Sequence, residues 1–336
     1  MQKGIAVAGN LITDIIKIVD VYPAEGMLCN ISSEERGVGG CVCNTAIDLA
    51  LLDSSLPVYA IGKVGADDKG DYLLSRLNEC GVYTSGVKRG GAMTAYTDVM
   101  TVQSTGARTF FHARGANAGF CPQDIDWDSL SCDILHIGYA LLLDCFDAPD
   151  SEYGTVLART LAKARSMGIK TSIDVVSEHS DRFKRLVTPC LPHCDYIIIN
   201  EIEGGLVSGL PARGEDGALI TENLKKICEF FLEQGVKELV CLHFPEGGVS
   251  LSASGEYAAA GSLSLPEGYI KGTVGAGDAF CAGMLYSLYK GYDQEYSLRV
   301  ASCAAACNLS RADSVSGMRG IDATMELDKQ YGRKTF

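Results

Sequence analysis

Short apolar runs alternate with amphipathic stretches along most of the chain. Ile5–Ala8, Val58–Ile61, Ile134–Ile137, Thr171–Val175, Tyr196–Ile199 and Leu239–Leu242 are nearly continuous in apolar, largely β-branched residues, the pattern of strands covered on both faces. Between them the spacing predicts helices over Cys41–Leu52, Asp71–Cys80, Tyr153–Met167 and Thr221–Gln234. Three of these run into a glycine, Gly81, Gly168 and Gly235, the residue that most readily adopts the left-handed conformation closing a helix. Buried strands separated by helices of this length predict an α/β protein with a mostly parallel sheet and helices on both faces. Two stretches, 15–36 and 92–120, break the rhythm. They hold alternating, Thr- and aromatic-containing strands such as Ala95–Val102 and Thr109–His112 without helices between them, and read as β-hairpins projecting from the main sheet.

Size and charge narrow the picture. A chain of 336 residues with 47% hydrophobic residues can bury a large core as a single domain. Its apolar runs fall far short of the roughly 20 residues of a membrane-spanning helix. The start, Met-Gln-Lys-Gly and a β-type run, lacks a secretory h-region, so a cytoplasmic location is expected. A net charge of −13 argues against nucleic acid or an anionic membrane as partner. It leaves nucleotides open, because a phosphate site is a local arrangement of amides. The 14 cysteines contain no C-x-x-C pair, and the close pairs are Cys41/Cys43, Cys190/Cys194 and Cys303/Cys307. Neither a metal nor a disulfide is expected of them, and Cys303 and Cys307 should pack as small hydrophobes in an Ala-rich helix.

The candidate chemistry lies in residues 272–280, Gly-Thr-Val-Gly-Ala-Gly-Asp-Ala-Phe, a glycine-rich turn that opens a helix marked by Ala279, Phe280, Ala282, Met284, Leu285 and Leu288. At such a terminus the amides of Gly275, Ala276 and Gly277 can converge on an anion, helped by the helix dipole. Asp278 would repel that anion unless it takes a proton from something. An anion cradle beside a base suggests phosphoryl transfer to a hydroxyl. An aspartate near a helix start is also a common cap, so the nonapeptide alone leaves a structural role open. The P-loop reading fails for want of the Gly-Lys-Ser/Thr tail. The dinucleotide fingerprint fails because Phe280 stands where a third small residue belongs.

Four further motifs flank this turn in order: Gly9-Asn10-Leu11-Ile12-Thr13-Asp14, Gly39-Gly40-Cys41-Val42-Cys43-Asn44, Gly115-Ala116-Asn117-Ala118 and Asn200-Glu201-Ile202-Glu203. Together with Gly275-Ala276-Gly277-Asp278, the set closely resembles the ribokinase (PfkB-type) family of carbohydrate and nucleoside kinases, over roughly residues 4–320. The resemblance implies a three-layer αβα core with a small β lid, built from about 15–36 and 92–120, over an acceptor pocket. It implies that Asp278 is the general base and that the amides of Gly275, Ala276 and Gly277 form the anion hole. Asn200 and Glu203 match the motif that holds Mg²⁺ and phosphates, largely through water, and Thr273, Gly248 and His243 fall on the nucleotide side. Asp14, Gly39, Gly40 and Asn44 match the acceptor side, with Asn117 and Arg114 contributed from the lid. ATP and Mg²⁺ are the implied cofactors and a sugar-like alcohol the acceptor. Independently of the resemblance, the exposed edges of the hairpins favour pairing, so a homodimer through the β lid is expected.

Two departures qualify the resemblance. Gly272 replaces an aspartate that helps build a monovalent-cation site in some relatives, which puts potassium activation in question. The nucleotide-side Leu-Gly-x-x-Gly pattern is altered to Leu242-His243-Phe244-Pro245-Glu246-Gly247-Gly248. Arg114 and His112 suit a sugar-acid acceptor, whereas Tyr96, Phe110 and Phe111 suit the base of a nucleoside. The alternatives to a sugar kinase are thus a nucleoside kinase of the same family and a non-catalytic sugar or nucleotide sensor on this fold.

Overall fold

The computed structural model describes residues 3–176 and 181–336. The strand Ile5–Gly9 is buried at every position because it pairs in parallel with Val58–Val64 on one side and Ile134–Ala140 on the other. It lies within a nine-stranded sheet that runs Tyr257–Gly261, Gly247–Ser252, Leu239–Phe244, Tyr196–Asn200, Lys170–Val175, Ile134–Ala140, Ile5–Gly9, Val58–Val64, Tyr83–Arg89. All pairings are parallel except those of the first two strands in that order, which extend one edge as an antiparallel ribbon.

Alternation along the buried strands divides the core between two faces. Ile5 and Val7 pack with the helices Gly40–Leu52, Ala276–Lys290 and Gln294–Leu309, while Ala6 and Ala8 pack with Val156–Ser166 and Thr221–Glu233. The result is the expected helix–sheet–helix layering. Helix starts depart from the sequence-based expectation where a side chain caps them. The helix predicted from Asp71 begins at Asp68, because Asp67 accepts a hydrogen bond from Gly70 N. The one predicted from Tyr153 begins at Val156, where Thr155 accepts from Ala158 N.

The second sheet has the order Ile31–Gly39, Ile12–Val19, Tyr96–Val102, Arg108–Ala113. It consists of two antiparallel hairpins joined through a parallel pairing of Ile12–Val19 with Tyr96–Val102. Phe110 and Phe111 on its last strand, and Met27 and Leu28 in the connection between Ile12–Val19 and Ile31–Gly39, are all more than half exposed.

The cysteine expectation needs correcting. Cys121 and Cys145 form a disulfide across 24 residues. Their neighbours Phe120 and Phe146 bury against each other with ring centroids 5.1 Å apart, and that packing brings the two loops together, a contact that cysteine spacing does not encode. Cys303 and Cys307 are buried and unpaired, as predicted. The basic C-terminal tail is held against the body of the protein: Phe336 sits edge-on to Phe244 at 4.9 Å and Lys334 N donates to Ser262 O. Among the described residues no helix is long and apolar enough to cross a membrane.

Candidate active site

The site forms at the carboxyl ends of the parallel strands, where the chain must turn and backbone groups become available. Gly40, with φ +82°, carries the strand Ile31–Gly39 into the helix Gly40–Leu52, and a Cβ there would lie 2.5 Å from Asn10 O. That helix delivers Asn44 into the interior. Ser314 Oγ lies 2.9 Å from Asn44 Oδ1, which leaves the amide Nδ2 to donate to Asp278 Oδ2 at 2.9 Å. The hydroxyl of Tyr139, just past the strand core at Ile137, donates to the other oxygen, Asp278 Oδ1, at 2.7 Å. Tyr139 is itself located by its backbone N, which donates to Asn10 Oδ1 at 2.7 Å.

Asp278 is thus buried and held by two donors. Burial pushes its carboxyl up to about 6, while the bonds from Tyr139 and Asn44 oppose the rise. A group of that proton affinity is mostly ionised at neutral pH yet still able to accept a proton.

The glycine-rich turn lies directly before it. Gly275 takes φ +78°, and a side chain there would meet Ser314 O at 2.6 Å, so only glycine fits. The helix starts at Ala276. Ala276 N makes a long contact of 3.4 Å to Thr273 O. Among the described residues, the N–H groups of Gly275 and Gly277 meet no protein acceptor. These are the unsatisfied donors that make a helix start attractive to anions.

A cavity of about 500 Å³ opens beside the turn, lined by Asn200, His243, Thr273 and Gly277 together with apolar side chains that include Leu263 and Ile270. His243 lies beneath Gly277 and against Phe280, ring centroids 5.0 Å apart. Burial lowers its imidazole to about 4, so any phosphate contact it makes at neutral pH is that of a neutral ring. Gly248 is elsewhere: a Cβ on it would meet Phe280 Cζ at 2.9 Å, so it serves the packing behind the cavity, and Gly247 is the glycine on the wall. Lys334 of the C-terminal tail also lines this space.

Asn200 and Glu203 form a reciprocal helix cap, with Asn200 Oδ1 accepting from Glu203 N at 2.8 Å and Glu203 Oε2 accepting from Asn200 N at 3.0 Å. Beside them stands Asp174, which the motifs did not single out. Burial first, then the negative charges of Glu203 and Asp278, push its carboxyl well above the usual range.

On the acceptor side, Asp14 lies against Gly39, where a Cβ would come within 2.4 Å of its Oδ2. Its carboxyl is pushed up to about 7, chiefly by burial and further by Asp278, with Thr97 and Arg108 opposing. Asn117 does not reach this pocket. Its Oδ1 accepts from Leu11 N at 3.2 Å and its Nδ2 donates to Leu11 O at 3.0 Å, so the amide is consumed in clamping the backbone. Arg114 is paired with Asp144 at 2.7 Å. At Gly272, backbone oxygens of Ala312 and Arg311 lie 2.8 and 3.0 Å from where a Cβ would be, so the loop after Leu309 fills the space an aspartate side chain would need.

A parallel αβα core with a small second sheet facing a carboxylate at a glycine-rich helix start is the ribokinase-type architecture. The chain superposes on the structure of Arabidopsis thaliana ribokinase complexed with ribose and ATP with a TM-score of 0.77, at 23% identity, covering 97% of this chain and 99% of that one. It matches the nucleoside kinase of Methanocaldococcus jannaschii with a TM-score of 0.75, at 18% identity, covering 98% and 99%. At such identities these matches speak for the fold. The sequence profile described as pfkB family carbohydrate kinase matches residues 2–319. The chain belongs to this family. Among its relatives is the deoxyribokinase of Salmonella typhi, 22% identical over 323 residues, which are 95% of this chain and 96% of the relative.

Proposed function

We propose that this kinase transfers the γ-phosphoryl group of ATP to a hydroxyl of a sugar or sugar-like acceptor, with Asp278 as general base. The observation that carries the reading is the Asp278 carboxylate held by Asn44 and Tyr139 next to unpartnered amides at the same helix start. The acceptor hydroxyl gives its proton to Asp278 as its oxygen bonds to the γ-phosphorus, and the bond from that phosphorus to the bridging oxygen breaks to release ADP. The N–H groups of Gly275 and Gly277 and the helix dipole stabilise the charge on the migrating phosphoryl group. Tyr139 and Asn44 fix the carboxylate's direction and keep its proton affinity in the useful range, so little reorganisation accompanies the step.

The donor side supports the same reading. The cavity has the size and apolar walls that suit a nucleotide base and ribose, and it ends at the anion turn. Glu203 with Asn200 would hold Mg²⁺, largely through water, and the ion would neutralise phosphate charge. Gly272 itself offers no carboxylate to a monovalent cation, and the backbone oxygens of Ala312 and Arg311 fill the space beside it. On the acceptor side, Asp14 with Gly39 and Gly40 would take the polyol hydroxyls. The exposed apolar residues Phe110 and Phe111 on the small sheet, with Met27 and Leu28 in a connection beside it, support pairing of two copies through it, and a sedimentation profile of a clean monomer at micromolar concentration would remove that assembly.

Asp278→Asn tests the central claim. The variant should keep its ATP-induced rise in melting temperature while kcat falls by about 10²-fold or more. A near-native kcat dismisses Asp278 as the base. Measuring ADP release from the native enzyme across pentoses, hexoses, sugar acids and nucleosides assigns the acceptor. Release with no acceptor of any of these classes would leave the sensor reading.

A further inference from the structure

Three side chains of unlike donor character meet in the core behind Asp278. His136 comes from the strand Ile134–Ala140, Asp174 from Lys170–Val175, and Cys281 from the helix that carries Asp278, one turn further on. Their ligand atoms all lie within 4.8 Å of one another. His136 and Cys281 are enclosed, and Asp174, at 8% exposure, is the least buried of the three.

The spacing of these atoms is compatible with a metal ion, and without one the Cys281 thiol can donate to His136 Nε2. The two strands pair in parallel with Ser172 opposite His136, and Ser172 Oγ lies 3.0 Å from His136 Nδ1. When Nδ1 carries the hydrogen and donates to Ser172, the Nε2 lone pair points at Cys281 Sγ, 3.7 Å away. A tetrahedral ion with Zn–S of about 2.3 Å and Zn–N of about 2.0–2.1 Å separates these two atoms by roughly 3.5 Å. Neutral imidazole is the ligand form. Gly138 lets its strand pass close to these groups, since a Cβ on it would lie 2.6 Å from Cys41 Sγ and 3.4 Å from Asp174 Cβ.

We propose that His136, Asp174 and Cys281 form a binding site for one thiophilic divalent cation of the Zn²⁺ type, separate from the Mg²⁺ that accompanies the nucleotide. One thiolate and one carboxylate together cancel the charge of such an ion, so the buried complex is neutral overall and avoids the large penalty of an isolated charge. A nitrogen–sulfur–oxygen set suits zinc or cobalt, whereas magnesium demands oxygen ligands. Ser172 acts as the outer partner that fixes the ring. The site stands on these contacts alone and does not depend on the kinase activity.

The test is a Co²⁺ titration of the full chain in excess Mg²⁺, followed by near-ultraviolet absorption. The expected result is a thiolate-to-cobalt charge-transfer band that saturates at one ion per chain and disappears on adding Zn²⁺. Cys281→Ala should abolish the band, Cys303→Ala should leave it intact, and Ser172→Ala should weaken binding by about 10–100-fold. Circular dichroism confirms that each variant is folded, and if Cys281→Ala is not, Ser172→Ala and His136→Gln carry the test. Absence of a charge-transfer band in the native chain overturns the proposal. So does its persistence in folded Cys281→Ala or His136→Gln, or its loss to Mg²⁺ alone.

Discussion

Asp278 and Asp14 come from different parts of the molecule, lie close enough for the charge of the first to raise the second, and are held in different ways. Asp278 belongs to the core: two donors fix its oxygens, and each donor is fixed in turn, Asn44 by Ser314 and Tyr139 by Asn10. Asp14 belongs to the small sheet and relies on Thr97 and the close approach of Gly39. Polar side chains around it that could have completed a pocket, Asn117 and Arg114, are engaged within the protein. The core half is therefore rigid before anything binds. On the small-sheet side Asn117 is spent on the Leu11 backbone and Arg114 on the Asp144 side chain, and recognition there rests on few side chains.

The strongest way to break this contrast is Asn117→Ala. The substitution strands the buried N–H and C=O of Leu11, each a group whose unmet hydrogen bond costs about 1–3 kcal/mol. A loss of roughly 2–4 kcal/mol in unfolding free energy is expected by denaturant titration, with acceptor KM little changed at temperatures where the variant is folded. A variant of native stability with a much raised acceptor KM would make Asn117 a ligand of the acceptor after all.

Tyr139→Phe probes the rigid half. Removing the hydroxyl takes away a bond that favours the ionised carboxylate, so the proton affinity of Asp278 should rise above its present value of about 6. The sign follows directly: the base works when unprotonated, so kcat falls as pH drops through that value. In the variant the acid limb should move to higher pH by up to about one unit. At neutral pH the lost bond should lower kcat by about tenfold, equivalent to about 1.4 kcal/mol. A pH profile that keeps its position while kcat falls would mean that Tyr139 acts on the substrate instead.

The same contrast explains what was readable in the sequence. The anion turn, the base and the first-turn amides are contiguous, so the chemistry of Gly275 to Asp278 could be read from local rules. The parallel strands could be read because burial on both faces leaves an apolar run with no alternation. Tyr139 could not, because its role depends on a hydrogen bond across 139 residues. Its position just beyond the apolar run Ile134–Ile137, where parallel sheets place their ligands, was the available signal. Asp174 was hidden for a similar reason, since its neighbours Glu203 and Asp278 come from other elements. Asn117 illustrates the opposite error. An amide in a glycine-flanked turn looks the same in sequence whether it meets a ligand or a neighbouring backbone. The Cys121–Cys145 pair arises from packing of Phe120 on Phe146, and spacing rules carry no information about that.

The smallest expected effect is the most discriminating for the small-sheet half. Arg114 and Asp144 keep side-chain exposures of 33% and 49%, so solvent screens the pair and its loss should cost no more than about 1 kcal/mol. The disulfide already joins the segments on which the two residues stand, which leaves the ion pair little structural work. Arg114→Ala should therefore change neither stability nor the KM of an uncharged sugar by more than about twofold, a shift of about 0.4 kcal/mol. An acceptor bearing a carboxylate provides the counter-test. If its KM rises tenfold or more in the variant while the neutral sugar is unaffected, the guanidinium exchanges Asp144 for the ligand, and the small sheet becomes the part of the molecule that chooses the acceptor.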